Sequence, residues 1–149
     1  MMNLPDKSYS ILIADDDAED RMLLKDALEE NQLPQTIHFV ENGEELLDYL
    51  FSRGKFTNRK QYPLPGLILL DLNMPKKDGR EALKIIKETP HLRRIPVVVL
   101  TTSKAEEDIL NTFDLGVSAF ITKPTTYTAL LEMTKTITKY WFELVERPT

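Results

Sequence analysis

The stretch "IPVVVLTT", Ile95 to Thr102, is an unbroken run of apolar and β-branched residues closed by two threonines. A strand with one wet face alternates apolar and polar side chains. An unbroken run belongs to a strand covered on both faces, as in a parallel sheet wrapped by helices. Four further β-rich segments recur along the chain: "SYSILIA" (Ser8 to Ala14), "TIHFV" (Thr36 to Val40), "LILL" (Leu67 to Leu70) and "SAFIT". Between them run segments of helical period. "AEDRMLLKDALEEN" (Ala18 to Asn31) puts Leu24, Ala27 and Leu28 on one face. "GEELLDYLFS" (Gly43 to Ser52) turns Leu46, Leu47, Leu50 and Phe51 inward. "REALKIIKE" follows Asp78 as cap, with Glu81 at the capping-box spacing. "SKAEEDILNTFDLG" carries a second such pair, Ser103 and Glu106. It is expected to bury Ile109, Leu110 and Phe113 and to stop at Gly116. A long last helix is expected over Thr125 to Glu146.

Five strands alternating with five helices predict a doubly wound α/β fold: a five-stranded parallel sheet of flavodoxin-like order 2-1-3-4-5. At 149 residues this is one domain, expected over 8–149 after a short tail at 1–7. No apolar run approaches the roughly 20 residues that span a bilayer. The start "MMNLPDKSYS" has no signal-peptide pattern. The absence of cysteine rules out disulfides and thiolate metal sites and agrees with a cytoplasmic location. A net charge of −5 argues against nucleic acid or anionic membrane as a partner. The loop "RGKFTNRKQYPLP" (Arg53 to Pro65) is long and basic, and reads as a solvated surface loop before it reads as a binding surface.

The most apolar run ends in an acid: Leu67 to Leu70 lead directly into Asp71. A buried carboxylate is costly unless it is paired. In doubly wound sheets ligands sit beyond the carboxyl ends of the strands. Those ends carry Asp15, Asp16 and Asp17 after strand one, Asp71 after strand three, Thr101 and Thr102 after strand four, and Lys123 after strand five. With strands one and three adjacent, acids of the first face Asp71 across a crevice. Oxygen ligands without Cys or His suit a hard cation such as Mg²⁺. Metal, ammonium and hydroxyl together suit a phosphoryl group, and a carboxylate can accept one as an aspartyl-phosphate. Asp17 reads as a helix cap, His38 and His91 as structural or solvent-facing, and Met74 and Pro75 as loop-shaping residues.

The segments "ILIADDD", "LLDLNMPKKDG", "VVVLTTS" and "AFITKP", in this order, resemble the receiver domain of two-component response regulators. Thr101 stands 30 positions after Asp71, and Lys123 stands 22 after Thr101, both typical of that family. The long basic loop and the ending "YWFELVERP" are most similar to small stand-alone regulators paired with phytochrome-type histidine kinases. The resemblance implies that Asp71 is the phosphoacceptor. Asp16 would ligate Mg²⁺ directly, Asp15 directly or through water, and Asn73 through its backbone carbonyl. Lys123 would contact a phosphoryl oxygen, Thr101 would turn its hydroxyl toward it, and Phe120 would occupy the aromatic switch position. It also implies a cis Lys123–Pro124 bond. Two departures stand out. Phe120 has no hydroxyl, so a switch there acts through packing, and Thr102 is larger than the Ala or Gly common at that place.

The expected function is that of a phosphorylation-controlled switch with no attached output domain, not a metabolic enzyme. Two other readings stay open. An aspartate-nucleophile phosphohydrolase commonly wants a second acid where Asn73 stands. A receiver fold used without phosphorylation would not need the full acceptor set. A flavin- or nucleotide-binding sheet lacks its Gly-rich loop here. The last helix is expected to support a homodimer. Leu130, Leu131, Thr134, Ile137, Trp141, Leu144 and Val145 form one stripe, while Met133, Tyr140 and Phe142 fall outside it.

Overall fold

The computed structural model describes residues 10–31, 36–74, 76, 78–102 and 106–144, the side chains of 106–108, 110, 143 and 144 excepted. The elements are β1 (Ser10–Ala14), α1 (Ala18–Glu30), β2 (Thr36–Val40), α2 (Gly43–Leu50), β3 (Leu67–Leu70), α3 (Gly79–Glu88), β4 (Val97–Thr101), α4 (Glu106–Asp114), β5 (Ala119–Thr122) and α5 (Tyr127–Lys139). All strand pairs are parallel and the order is β2-β1-β3-β4-β5, as expected. Strand β4 begins two residues later than its apolar run. Pro96 has no amide to donate to the ladder, although its carbonyl still accepts from the Ile68 amide at 3.0 Å.

The central strands β1, β3 and β4 are buried on both faces. One face, with Leu12, Leu70 and Val99, packs under Leu46 and Leu50 of α2 and Leu83 and Ile86 of α3. The other, with Ile11, Leu69 and Val98, packs under Leu24 and Leu28 of α1 and Leu130 and Ile137 of α5. Burying a Leu or Ile side chain stabilises by about 1.5–3 kcal/mol, so these two layers hold the sheet edge-to-edge and fix where its carboxyl ends point. Among the described residues no helix is long and apolar enough to cross a membrane.

Three local expectations change. In α4, Phe113 is 50 % exposed rather than buried. Thr112 is buried and Ile109 half-buried, so the covered face centres between them, and Phe113, turned about 100° from Thr112, falls at its margin. Leu110's side chain and the Ser103 cap lie outside the described residues. Gly116, at φ +97°, takes the left-handed conformation that ends the helix. After Lys139 the last helix widens into a π turn, Tyr140–Leu144. Phe142 follows buried Thr134 and Thr138 at four-residue spacing and is itself buried at 6 % exposure, while Tyr140 is 50 % exposed. Phe142, expected outside the stripe, is part of the core. Trp141 is half-buried and packs edge-on against Tyr140.

The basic loop after α2 is a built element. The chain leaves α2 through Ser52 at φ 59° and makes a short 3₁₀ turn over Gly54–Phe56 that buries Phe56. Arg59 then reaches back. Its Nη1 donates to the carbonyls of Tyr49 (2.9 Å) and Tyr62 (3.1 Å), and its Nη2 to that of Leu50 (2.7 Å). Tyr49 and Leu50 end α2, where the helix dipole favours a cation, and the Tyr49 carbonyl also accepts from the Ser52 amide at 3.2 Å. Tyr49 in turn donates its hydroxyl to the Pro63 carbonyl at 2.9 Å. Arg53 and Lys55 pair with Asp48 and Glu45 of α2 at 3.2 and 3.5 Å. The loop's charge is thus largely spent on its own helix.

Gly79 places the start of α3 directly against the end of β3. A Cβ there would lie 2.5 Å from the Asp71 carbonyl oxygen and 2.7 Å from Leu72 Cα, and the Gly79 amide donates to Leu72 O at 3.0 Å. Both contacts are backbone, so neither can swing aside. Gly79→Ala is expected to destabilise the domain by about 1–3 kcal/mol through overpacking. Arg59→Ala, which strips three carbonyls of a charged donor, is expected to cost about 2–3 kcal/mol. Urea denaturation checks both: each midpoint should fall with little change in slope.

Candidate functional site

The site is assembled by the sheet's hydrogen-bond ladder running one residue past each strand. The Asp15 amide donates to Val40 O at 3.1 Å, the Asp71 amide to Ala14 O at 2.9 Å, and the Lys123 amide to Thr101 O at 2.9 Å. Each functional residue is therefore still backbone-fixed by its neighbouring strand, while its side chain stands beyond the sheet's carboxyl edge. Asp15 and Asp71 are nearly buried, at 2 % and 7 % exposure, and Thr101 is fully buried. Asp16 and Asn73 are exposed at the mouth.

Asp71 Oδ1 accepts from the Asn73 amide and from Thr101 Oγ1, both at 3.0 Å. Asn73 Nδ2 donates to the same threonine oxygen at 3.3 Å. The other carboxylate oxygen, Oδ2, lies 3.1 Å from Lys123 Nζ. Asp15 divides its oxygens in the same way: Oδ1 accepts from the Asp17 amide at 2.9 Å, and Oδ2 is 2.8 Å from Lys123 Nζ. Oxygens of Asp15, Asp16 and Asp71 come within 4.8 Å of one another. At an effective dielectric near 20, two unit charges at that separation repel by roughly 3.5 kcal/mol. Three such acids sharing one ammonium have an excess of negative charge that a divalent cation would neutralise. The donors are all hard oxygen, which suits a cation of the Mg²⁺ or Mn²⁺ type.

Burial raises the pKa of Asp15, more than its hydrogen bond and charge contact with Lys123 lower it. Burial works against the charged form of Lys123 too. There the carboxylates of Asp15 and Asp20, and the charges of Asp15 and Asp71, prevail and hold its pKa above the usual lysine value. The ammonium is thus locked in its protonated form at neutral pH.

The residues singled out from sequence, Asp15, Asp16, Asp71, Thr101 and Lys123, come together here. Asp17 is the cap of α1, accepting from the amides of Glu19 and Asp20 at 2.9 and 3.2 Å. Phe120 is half-buried and pairs in register with Val99, on the sheet face that also carries Thr101 two residues on. Thr102 is exposed. His38 is half-buried between Tyr49 and Tyr62, and His91 is exposed beside Phe51. Met74 is buried under the loop after β3, whereas Pro75 lies outside the described residues.

The cis Lys123–Pro124 bond is not formed: no peptide bond among the described residues is cis. Lys123 reaches Asp71 regardless, because its amide is fixed to the β4 ladder and its four-carbon stem spans the rest. Two participants were not anticipated. Asp20 Oδ2 lies 2.8 Å from Lys123 Nζ. Arg21 donates from Nη1 to the Asp15 carbonyl at 2.8 Å and pairs with Glu41 at 3.5 Å. Both stand on the first turn of α1, three and four residues after the cap. Once Asp17 was read as a cap, that spacing could have directed attention to them.

The model of the family described as "Response regulator receiver domain" matches residues 11–135. The chain is 39 % identical to Response regulator Rcp1 of Synechocystis sp., over 93 % of this chain and 92 % of that protein. The crystal structure of the phosphorylated cyanobacterial phytochrome response regulator RcpA superposes with a TM-score of 0.88 at 40 % identity, covering 95 % of this chain and 99 % of that one. The Mn²⁺-bound form of Rcp1 gives 0.85 at 38 %, with the same coverage. The acid pair after β1, the acid that ends β3 and the lysine after β5 thus stand in a chain that belongs to the response regulator receiver domain family.

Proposed function

We propose that Asp71 is the phosphoacceptor of a two-component switch, charged by a phosphohistidine on a histidine kinase in a Mg²⁺-dependent reaction. The observation that carries this is the convergence on Asp71 of Lys123 at 3.1 Å, Thr101 at 3.0 Å, and oxygens of Asp15 and Asp16 within 4.8 Å. In the reaction an Asp71 oxygen attacks phosphorus. The nitrogen–phosphorus bond of the donor breaks, and its electron pair stays on the imidazole, which takes up a proton. Asp71 itself loses no proton, since it reacts as the carboxylate. Asp15, Asp16, Asp71 and the Asn73 backbone carbonyl would hold the Mg²⁺, which when bound neutralises charge on the phosphoryl oxygens. Lys123 would pair with another of these oxygens. Thr101 would exchange its bond to Asp71 for one to the phosphoryl group, opening space toward which Phe120 would pack. Support for a divalent ion comes from the hard-oxygen donor set and from the Mn²⁺-bound form of Rcp1.

A phosphohydrolase is disfavoured by Asn73, an amide engaged with Thr101 where such an enzyme places an acid. We therefore read the chain as a signalling receiver rather than a metabolic enzyme, working in the cytoplasm, with residues 8–149 as one receiver domain. The likeness to Rcp1 supports action as a regulator of that kind, and the likeness to RcpA supports a phytochrome-type kinase as partner. Exposed Met22 and Leu23 on α1, next to Asp20 and Arg21, offer an apolar rim on which such a kinase could seat.

Acetyl phosphate with Mg²⁺ is expected to add one phosphoryl mass to the intact protein. The addition should be absent in Asp71→Asn and suppressed by excess chelator. A mass gain that survives in Asp71→Asn would overturn the assignment. We propose in addition that the α5–β5 face self-associates through Tyr140, which is exposed where its neighbour Phe142 is buried. Sedimentation equilibrium at micromolar protein should give a dimer that weakens in Tyr140→Ala. A monomer with and without a phosphoryl mimic would remove this proposal.

A further inference from the structure

Lys123 carries three N–H donors and is only 13 % exposed, and the three donors meet three carboxylates: Asp15 at 2.8 Å, Asp20 at 2.8 Å and Asp71 at 3.1 Å. Two of these acids lie in the candidate cation cluster with Asp16, and Asp20 does not. Asp20 is also the only one of the three held on a helix. Its amide is fixed by the Asp17 cap at 3.2 Å, within the first turn of α1. We propose that Asp20 is a positioning residue that holds the Lys123 ammonium over Asp71 for phosphoryl transfer. The proposal rests on Asp71 being the phosphoacceptor.

An ammonium on a four-carbon stem is a mobile point charge. Its value in a transition state depends on being in place before the phosphorus–oxygen bond forms. Asp71 is the reacting group and changes its charge and shape when it is modified. Asp15 shares its oxygens between Lys123, the Asp17 amide and any bound cation. Asp20 has none of these competing duties, so its contact with Lys123 persists through the reaction. It approaches as a third acceptor rather than as a replacement for Asp71, so it orients the ammonium without taking the donor that faces the reacting oxygen. It also ties the start of α1 to the segment after β5. That junction borders a small groove lined by Leu23, Leu24, Pro124 and Tyr127, with Asp20 and Lys123 among its walls.

The test measures the rate of Asp71 phosphorylation by acetyl phosphate in saturating Mg²⁺, where Asp71 attacks phosphorus and acetate leaves with the bonding pair. Asp20→Ala is expected to lower the rate about tenfold, the scale of one lost charge-assisted hydrogen bond. Asp20→Asn, which keeps an oxygen acceptor, should recover part of it. In a Lys123→Ala background the same Asp20→Ala change should alter the rate by less than about twofold, because the interaction it removes is already gone. A full rate in Asp20→Ala, or an equal loss without Lys123, would overturn the proposal, the second by showing that Asp20 acts only through the helix end. A second readout needs neither metal nor phosphoryl donor. In excess chelator, acylation of Lys123 by an amine-directed reagent, followed by peptide mass, should speed several-fold in Asp20→Ala, because a carboxylate hydrogen-bonded to an ammonium favours the charged form that does not react, while exposed Lys25 serves as the reference. Unchanged acylation of Lys123 would also overturn the proposal. Should the wild-type protein accept no phosphoryl group at all, the phosphoacceptor reading falls, while the acylation result still decides whether Asp20 holds Lys123.

Discussion

Asp71 and Asp15 are carboxylates with almost no access to water, and they stand side by side at the edge of a parallel sheet. That placement is tolerable because one ammonium reaches both, and because every carboxylate oxygen that does not meet Lys123 accepts from an amide or a hydroxyl. The rest of the structure is arranged so that this can happen. The ladder continues one residue beyond β1, β3 and β5, so the three backbones cannot drift apart. The apolar layers on both faces then hold the strands in register.

The surrounding elements each protect one side of this arrangement. Gly79 lets α3 start in contact with the Asp71 backbone, which limits how far β3 can move. On α1 the Asp17 cap sets the first turn, and that turn delivers Asp20 to Lys123 and Arg21 to the Asp15 carbonyl. The long loop after α2, which by composition looks like a free basic surface, is folded onto its helix by Arg59 and by ion pairs with Asp48 and Glu45. After α5, Phe142 packs into the layer beneath α1 and α5 while Tyr140 stays outside. The charge excess of the acid cluster survives all of this, since the lysine balances only part of it. A site with surplus negative charge and one fixed ammonium is suited to a divalent cation together with a phosphoryl group.

The strands, their parallel pairing and the acids and lysine at their ends were legible in the chain because each leaves a local mark. Unbroken apolar runs mark doubly covered strands. A polar residue directly after such a run marks the sheet's carboxyl edge, which is where Asp15, Asp71, Thr101 and Lys123 stand. Asp78 and Asp17 were legible as caps because capping is a contact within a few residues.

Period, capping and the ends of apolar runs are local properties of the chain, and they carry the doubly wound sheet, most of its core and the acid-and-lysine set. Tertiary structure alone decided the features that depend on distance through space. Asp20 meets a lysine 103 positions away: its place three residues after a cap is local, but the partner it finds is not. Phe113 faces water because the covered face of its helix centres on Ile109 and Thr112, and Phe142 is buried because it shares a face with Thr134 and Thr138 that packs on the sheet. Arg59 became a helix clamp because the loop's path brought it back to the carbonyls at the end of α2. A one-dimensional pattern records which side chains are apolar or charged. Which charge meets which, and which face of a short helix finds a neighbour, are set only when separate segments pack together.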